Sequence, residues 1–457
     1  VLPGAEAALV SLDPHAESAL APPDAWWKLY NDPRLDALLE SAFAANADLA
    51  AAQANLIAAG ALFSAARGAR YPGATLDAGA IRGRDAGTDE ILELGGHPPQ
   101  DVWIYESVAQ ASYEIDLFGR VRRSIEAAHA NAAAVAATRD AVKVTVAAET
   151  TRAYALICSL GEELAVAHHS IDVLERELGI TTQRHAAGAG SDFDVVRAQG
   201  LAAQTRAAIP TLEGQRRAAL FQLAALVGRA PSKAPLQALD CVAPPQLSSL
   251  LPVGDGAMLL KRRPDVRQAE RVLAAATARI GVATADLYPR VRLVGLYGGI
   301  ATNFKDLTSE PGLTWGIGPS VSWNFPNQIA ARALVAQAEA NAAAALASFD
   351  SVVLNALKET EQALAGYGAE IAHRQALAEV QAKAHAAFDL THDRLLAGSI
   401  SELDLLTAEQ TMVAADAAVA ASDAALVQDQ IAVFKALGGG WQWATPEPAL
   451  ISDRDAR

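Results

Sequence analysis

Cysteine, methionine and aromatic residues are all scarce: of 457 residues, two are Cys, two are Met and 5% are aromatic. Cys158 and Cys241 stand far apart, at no metal-binding or redox-motif spacing, and read as two small buried hydrophobes. Basic charge is also in short supply. The 37 Lys and Arg against 52 Asp and Glu leave a net charge of −15. A nucleic-acid binder needs a basic face to neutralise phosphates, so that class is excluded. No run approaches about 18 consecutive apolar residues, so no transmembrane helix is expected. Such a chain is soluble or enters a membrane through strands, because only helices and closed barrels satisfy backbone polar groups in lipid. The chain opens at Val1 without a charged or apolar leader and reads as a mature or trimmed form.

Proline is missing from two long spans. All 21 prolines fall outside residues 100–209 and 327–445. A helix interior excludes proline at a cost of about 3 kcal/mol. Each span holds an Ala-rich helical pattern, from about Val121 to Gly188 and from about Ile329 to Gly398. Roughly 68 residues at about 1.5 Å each make helices about 100 Å long. Four stretches near 34–68, 191–228, 255–286 and 400–437 are half that length. The lengths suggest stacking in pairs: 191–228 with 255–286 along one long helix, and 400–437 with 34–68 along the other.

What is present is a duplication. Gly188, Asp194 and Ala198 return as Gly398, Asp404 and Ala408, and Asn131 returns as Asn341, each at a shift of 210 (398 − 188). Tyr71-Pro72 returns as Tyr288-Pro289. A period near half the chain is a duplication, not a solenoid. The chain is thus expected to divide into an irregular segment 1–33, a first repeat 34–228, a crossover 229–254, a second repeat 255–439 and a tail 440–457. The irregular segments are expected to form a belt around the middle of the helices.

Each repeat also carries two strand-like segments, near 74–85 and 103–117, and near 290–301 and 314–325. In the last, Trp315, Ile317, Pro319, Val321, Trp323 and Phe325 alternate with small or polar residues. Trp103, Tyr105, Ala109, Ala111, Tyr113 and Ile115 alternate likewise with Glu106, Gln110, Ser112 and Glu114. Apolar-out and polar-in alternation with aromatic ends fits a membrane barrel, and a half-buried soluble sheet gives the same period. Membrane barrels begin at about eight strands, so four strands per chain require several chains.

Four motifs carry a family resemblance. Trp26-Trp27-Lys28-Leu29-Tyr30-Asn31-Asp32-Pro33-Arg34-Leu35, Tyr113-Glu114-Ile115-Asp116-Leu117-Phe118-Gly119-Arg120, Leu259-Leu260-Lys261-Arg262-Arg263-Pro264-Asp265-Val266 and Ala436-Leu437-Gly438-Gly439-Gly440-Trp441 resemble, in order, TolC-like outer-membrane factors of the OprM/NodT type. The resemblance covers about residues 24–442. It implies a mainly α fold: a long α-helical barrel plus four strands per chain of a trimeric twelve-stranded membrane β-barrel. It implies a homotrimer in outer-membrane lipid, extending into the periplasm and served by a periplasmic adaptor (membrane fusion protein) and an inner-membrane RND-type transporter. The implied function is a passive, gated exit duct for drugs or other small toxic compounds. Ducts for protein secretion and a soluble coiled-coil assembly protein are the alternatives. Members usually begin at a lipidated cysteine; with Val1 first, that anchor is expected to be absent or to have been lost just upstream.

The two turns 188–194 and 398–404 are expected at the closed end. Asp404 matches an aspartate of TolC's constriction, and Thr407 stands where its second aspartate would be. Glu402, Asp194 and Asp192 join them as pore or gate candidates, although helix capping explains Asp192 and Asp194 as well. Gly188, Gly190, Ser191, Gly398 and Ser399 are expected to meet the adaptor. Glu106, Glu114 and Asp116 are expected in the barrel lumen or its lower rim, although a plain solvated face explains them equally well. Arg262, Arg263 and Asp265 read as a structural ion-pair group. His385 and His392 share a helical face without a third ligand. No nucleophile motif or acid/base pair is found, so neither enzymatic activity nor any cofactor or metal is expected.

Overall fold

The computed structural model describes residues 9–11, 16–18, 20–84, 101–247, 250–326 and 328–442. The rest of the first 33 residues, the end of the expected 74–85 strand at 85 and the tail beyond 442 lie outside them. In chain order the elements are β1 Glu17–Ser18, α1 Pro33–Ala45, α2 Ala47–Gly68, β2 Gly73–Gly83, β3 Val102–Ile115, α3 Arg120–Ala186 and α4 Asp192–Leu226. After the crossover come β4 Leu251–Pro252, α5 Gly256–Arg262, α6 Pro264–Ala285, β5 Arg290–Ala301, β6 Leu313–Ser322, α7 Ile329–Leu396 and α8 Glu402–Ala436. The described residues form two compact units, one drawn from 9–55, 136–268 and 349–442 and the other from 56–135 and 269–348.

The second unit holds one antiparallel sheet in the order β2-β3-β5-β6. The β3–β5 pairing joins the two repeats, with Ala109 opposite Tyr297 and Glu114 opposite Arg292. β6 stops at Ser322, three residues short of expectation. There Trp323 donates its Nε1–H to the Leu287 carbonyl at 3.1 Å and stacks on Phe325 at 4.8 Å, which turns the chain out of the ladder. Below β3, both Asp116 carboxylate oxygens accept backbone N–H bonds, from Val121 (3.0 Å) and Arg122 (2.8 Å). They satisfy orphan donors at the start of α3.

The first unit holds the largest core. Trp26 and Trp27 are 0% and 1% exposed, and Trp26 stacks on Phe434 at 4.6 Å. Around them lie Leu35, Leu39, Tyr154, Ile157, Leu223, Ile431 and Phe434. Asp32 caps α1 by accepting from the Arg34 N–H at 2.9 Å and also accepts from the Tyr154 hydroxyl at 2.7 Å. Three of the four motifs meet here. Trp441 donates to the Arg262 carbonyl at 3.0 Å, and a Cβ on Gly439 would lie 2.9 Å from the Trp26 ring. β1 pairs in parallel with β4, tying the N-terminal segment to the crossover.

Two expectations about this unit are corrected. Cys158 and Cys241 are not independent hydrophobes: they form a disulfide with Cα atoms 4.8 Å apart, joining α3 to the crossover. Arg216 on α4 pins the same strand of chain through the Leu239 and Cys241 carbonyls at 2.8 and 2.6 Å. A sequence separation of 83 gave no sign of this contact.

The stacking of the half-length helices is the second. Two of the four are themselves broken, at Asn46 and at Arg263. Asn46 caps α2 by accepting from the Leu49 N–H (3.0 Å) and donates to the Leu226 carbonyl at the end of α4 (3.1 Å). Arg263 donates to the Ala436 carbonyl at the end of α8 (2.8 Å), one residue before α6 begins. So α4 meets α2 and α8 meets α6, each within its own repeat and not across repeats. Asn46 and Arg263 are equivalent, since 263 − 46 = 217 is also the shift from Tyr71 to Tyr288. Helix length alone could not decide which ends abut, because both pairings give the same total.

Average hydropathy makes Ala47–Gly68 and Ile329–Leu395 apolar enough to cross a membrane, against the expectation from unbroken runs. Both are rich in Ala, whose small side chain suits close helix packing.

Candidate functional site

Two places hold the predicted site residues: the sheet and the pair of helical turns. Across the sheet, the register places Leu76, Ala109, Tyr297 and Trp315 in one row. Leu76, Tyr297 and Trp315 are 71%, 65% and 70% exposed. The adjacent row, Thr75, Gln110, Leu296 and Gly316, projects to the opposite face. Glu106 and Glu114 share that second face. Glu106 is exposed, whereas Glu114 pairs with Arg120 at 2.8 Å and lies 3.7 Å from Arg292. Asp116 lies beyond the strand and serves as the cap described above.

At the turns, Gly188 and Gly398 have φ of +77° and +69°, the left-handed conformation that ends a helix and favours glycine. Ser191 starts α4 and Ser401 starts α8. Asp194 accepts from both the Ser191 backbone N–H (3.1 Å) and hydroxyl (2.7 Å). Asp404 accepts from the same groups of Ser401 at 3.0 and 2.7 Å. These bonds hold both carboxyls below the ordinary aspartate range. Asp192 is 92% exposed at its side chain and lies 3.1 Å from His185 Nε2. Thr407 donates back to the Leu403 carbonyl at 2.8 Å, and Ser399 to the Arg394 carbonyl at 3.1 Å. Gly190 packs beside the His185 backbone.

Glu402 behaves differently from the other candidates. Its carboxylate accepts from the Thr181 hydroxyl on α3 and stands 3.9 Å from Arg184 Nε. It begins a stripe of polar residues that sequence reading missed. Glu402, Glu409, Asp416, Asp423 and Gln430 recur every seven residues on α8. The heptad spacing keeps them on one helix face. Asp416 meets His385 Nε2 at 2.7 Å and Gln381 at 2.9 Å; Asp423 meets Arg374 at 2.9 Å; Gln430 accepts from the Tyr30 hydroxyl at 3.3 Å. Glu409 is 2% exposed, and its Oε1 has no hydrogen-bond partner. His392 lies 3.4 Å from Glu177 on α3, so it and His385 serve separate contacts. Among the described residues no group of three or more His, Cys, Asp or Glu could hold a metal ion.

A family model for outer membrane efflux proteins matches residues 38–229 and 257–439. The pyoverdine export outer membrane protein OpmQ of Pseudomonas aeruginosa is 30% identical over 426 residues, covering 91% of this chain and 87% of that protein. The outer-membrane channel OprN has a TM-score of 0.86 at 34% identity, covering 96% of each chain. The open state of the MtrE outer membrane channel of Neisseria gonorrhoeae has a TM-score of 0.80 at 26% identity, covering 93% of each chain.

Proposed function

This chain belongs to the outer membrane efflux protein family, and from that membership we propose the assembly, gate and cargo of the channel it forms. It is an outer-membrane efflux channel of TolC-like fold, set in the bacterial outer membrane and extending into the periplasm. One observation supports the assembly above others. The sheet exposes an apolar face continuous across four strands and ends in the edge strands β2 and β6. An open edge is not tolerated in lipid. Three copies supply 3 × 4 = 12 strands and close it. A barrel of about eight strands would be filled by its own side chains, whereas a larger one leaves a lumen.

In this reading Glu106, Glu114 and Asp116 line the lumen or its lower rim. The turns at Gly188 and Gly398 make the periplasmic end. Three copies of Asp404, with Glu402, Asp194, Asp192 and Thr407 near it, surround a narrow cation-attracting gate. Gly188, Gly190, Ser191, Gly398 and Ser399 meet a periplasmic adaptor. Phe193 and Leu403, exposed at equivalent places beside the two turns, support a docking role for them. An inner-membrane RND-type transporter supplies the drive, and the cargo is drugs or other small toxic compounds. The pyoverdine export role of the relative OpmQ supports a small-molecule cargo.

Single-channel recording tests this. The detergent-purified chain should run as a trimer and insert cation-preferring pores into planar bilayers. A trimer that forms no pore under any condition would sink the duct.

A further inference from the structure

Glu409 is the exception in the stripe along α8. Its neighbours two turns away on either side are satisfied: Glu402 by Thr181 and Asp416 by His385 and Gln381. Glu409 is buried with an orphan oxygen, and the charges of two further carboxylates, Glu177 and Glu402, bear on it. The charged groups around this knot are Glu177, Arg176 and Arg184 from α3, His392 from α7 and Glu402 from α8. The same three helices share an apolar layer of Ala384, Met412 and Ala415, with Val173 and Phe388 packed against it. A buried carboxylate without a partner is far costlier than a buried neutral acid, and carboxylates that share a site resist joint ionisation. A metal ion would be one remedy, but no metal-holding group exists among the described residues. A proton is the other.

We propose that the Glu177–Glu402–Glu409 knot is a proton-operated latch that holds α3, α7 and α8 together beside the turns and releases them when it loses its proton. The latch rests on the reading of this end as the gate of the duct. Burial, then the charges of Glu177 and Glu402, push Glu409 up to about 8, and burial pushes Glu177 up too. Once the helices part and Glu409 meets water, it returns to the ordinary glutamate range. The packed form therefore holds the proton more tightly. Rising pH favours the parted form, by up to about tenfold per pH unit, from the ordinary glutamate range to about pH 8. Beyond that both forms are ionised and the ratio levels off. Acid closes this latch and neutral to mildly alkaline medium loosens it.

The test compares the full-length protein with Glu409→Gln in planar bilayers from about pH 5 to about pH 8.5. Amide exchange over residues 406–412, divided by the intrinsic chemical rate, is followed in parallel. The unmodified channel should gain conductance several-fold with pH, and its normalised exchange should rise with it. Glu409→Gln keeps the shape of the neutral acid and should hold the acid-side values throughout. Retention of the unmodified pH profile by Glu409→Gln overturns the latch, as does a conducting channel whose conductance and exchange ignore pH. Absence of any pore overturns the duct instead, and the exchange comparison then decides the latch by itself. If Glu409→Gln does not fold, Glu177→Gln replaces it. Loss of that neighbouring charge should move the midpoint to lower pH, and an unmoved midpoint overturns the proposal.

Discussion

The two helical turns are built by one local recipe and anchored by two different ones. Each has a left-handed glycine, a serine opening the return helix and an aspartate three residues on that ties back to the serine. The residue after each serine breaks the symmetry. Asp192 stays at the surface beside His185, whereas Glu402 reaches into α3 and introduces the stripe that contains Glu409. The helix joints follow the same rule. Asn46 and Arg263 occupy equivalent positions and each holds the carbonyl end of a helix. Arg263 adds ion pairs with Asp265 at 2.6 Å and Glu359 at 2.8 Å. Duplication copied the backbone solution. The anchoring residues that differ, Glu402 and Arg263, both belong to the second repeat.

Arg263→Ala should be the most damaging change, with a loss of about 2–3 kcal/mol, because it removes a buried guanidinium that bonds the Ala436 carbonyl and two half-exposed carboxylates, leaving that carbonyl only the longer Thr360 contact at 3.5 Å. Asn46→Ala, at the equivalent joint, should lose only about 1 kcal/mol as a missing cap. Thermal unfolding followed by circular dichroism measures both, and equal losses would break the contrast. Next in size, Glu402→Ala should cost about 1–2 kcal/mol, since it leaves the buried Thr181 hydroxyl without its acceptor. It should also raise conductance, while Asp192→Ala changes neither stability nor current appreciably.

The smallest effects concern the matched aspartates. Asp194→Ala and Asp404→Ala remove the same two bonds, so exchange at 191–195 and 401–405 should quicken to a similar extent. Conductance should rise for Asp404→Ala, the candidate with a constriction precedent, and unchanged current would make it a cap alone. Because both carboxyls are held low, their capping is complete above the ordinary aspartate range and fades as pH falls through their depressed values. Acid thus frays the turns while it tightens the Glu409 knot, so exchange in the two regions should respond to pH in opposite senses.

Residue pattern by itself determined the parts that depend on local periodicity and punctuation. The long helices follow from proline-free alanine-rich spans, the strands from apolar alternation, the turns from Gly and Ser-x-x-Asp, and the duplication from constant offsets. The amphipathic alternation was legible in β3 and β6, and less regular in their partners β2 and β5. Only pairing showed the apolar face to be continuous from Leu76 to Trp315 across both repeats. The four motifs were visible as separate strings, while the meeting of three of them around Trp26, Arg263 and Gly439 was not. Tertiary structure also decided the Cys158–Cys241 bond, the stacking of α4 on α2 and of α8 on α6, and the isolation of Glu409. The reason is common to all three. Periodicity says which face of a helix is turned inward, but the partner across that face comes from a segment remote in sequence. Whether an acid such as Glu409 finds a Thr, a His or nothing there is settled only when the helices pack.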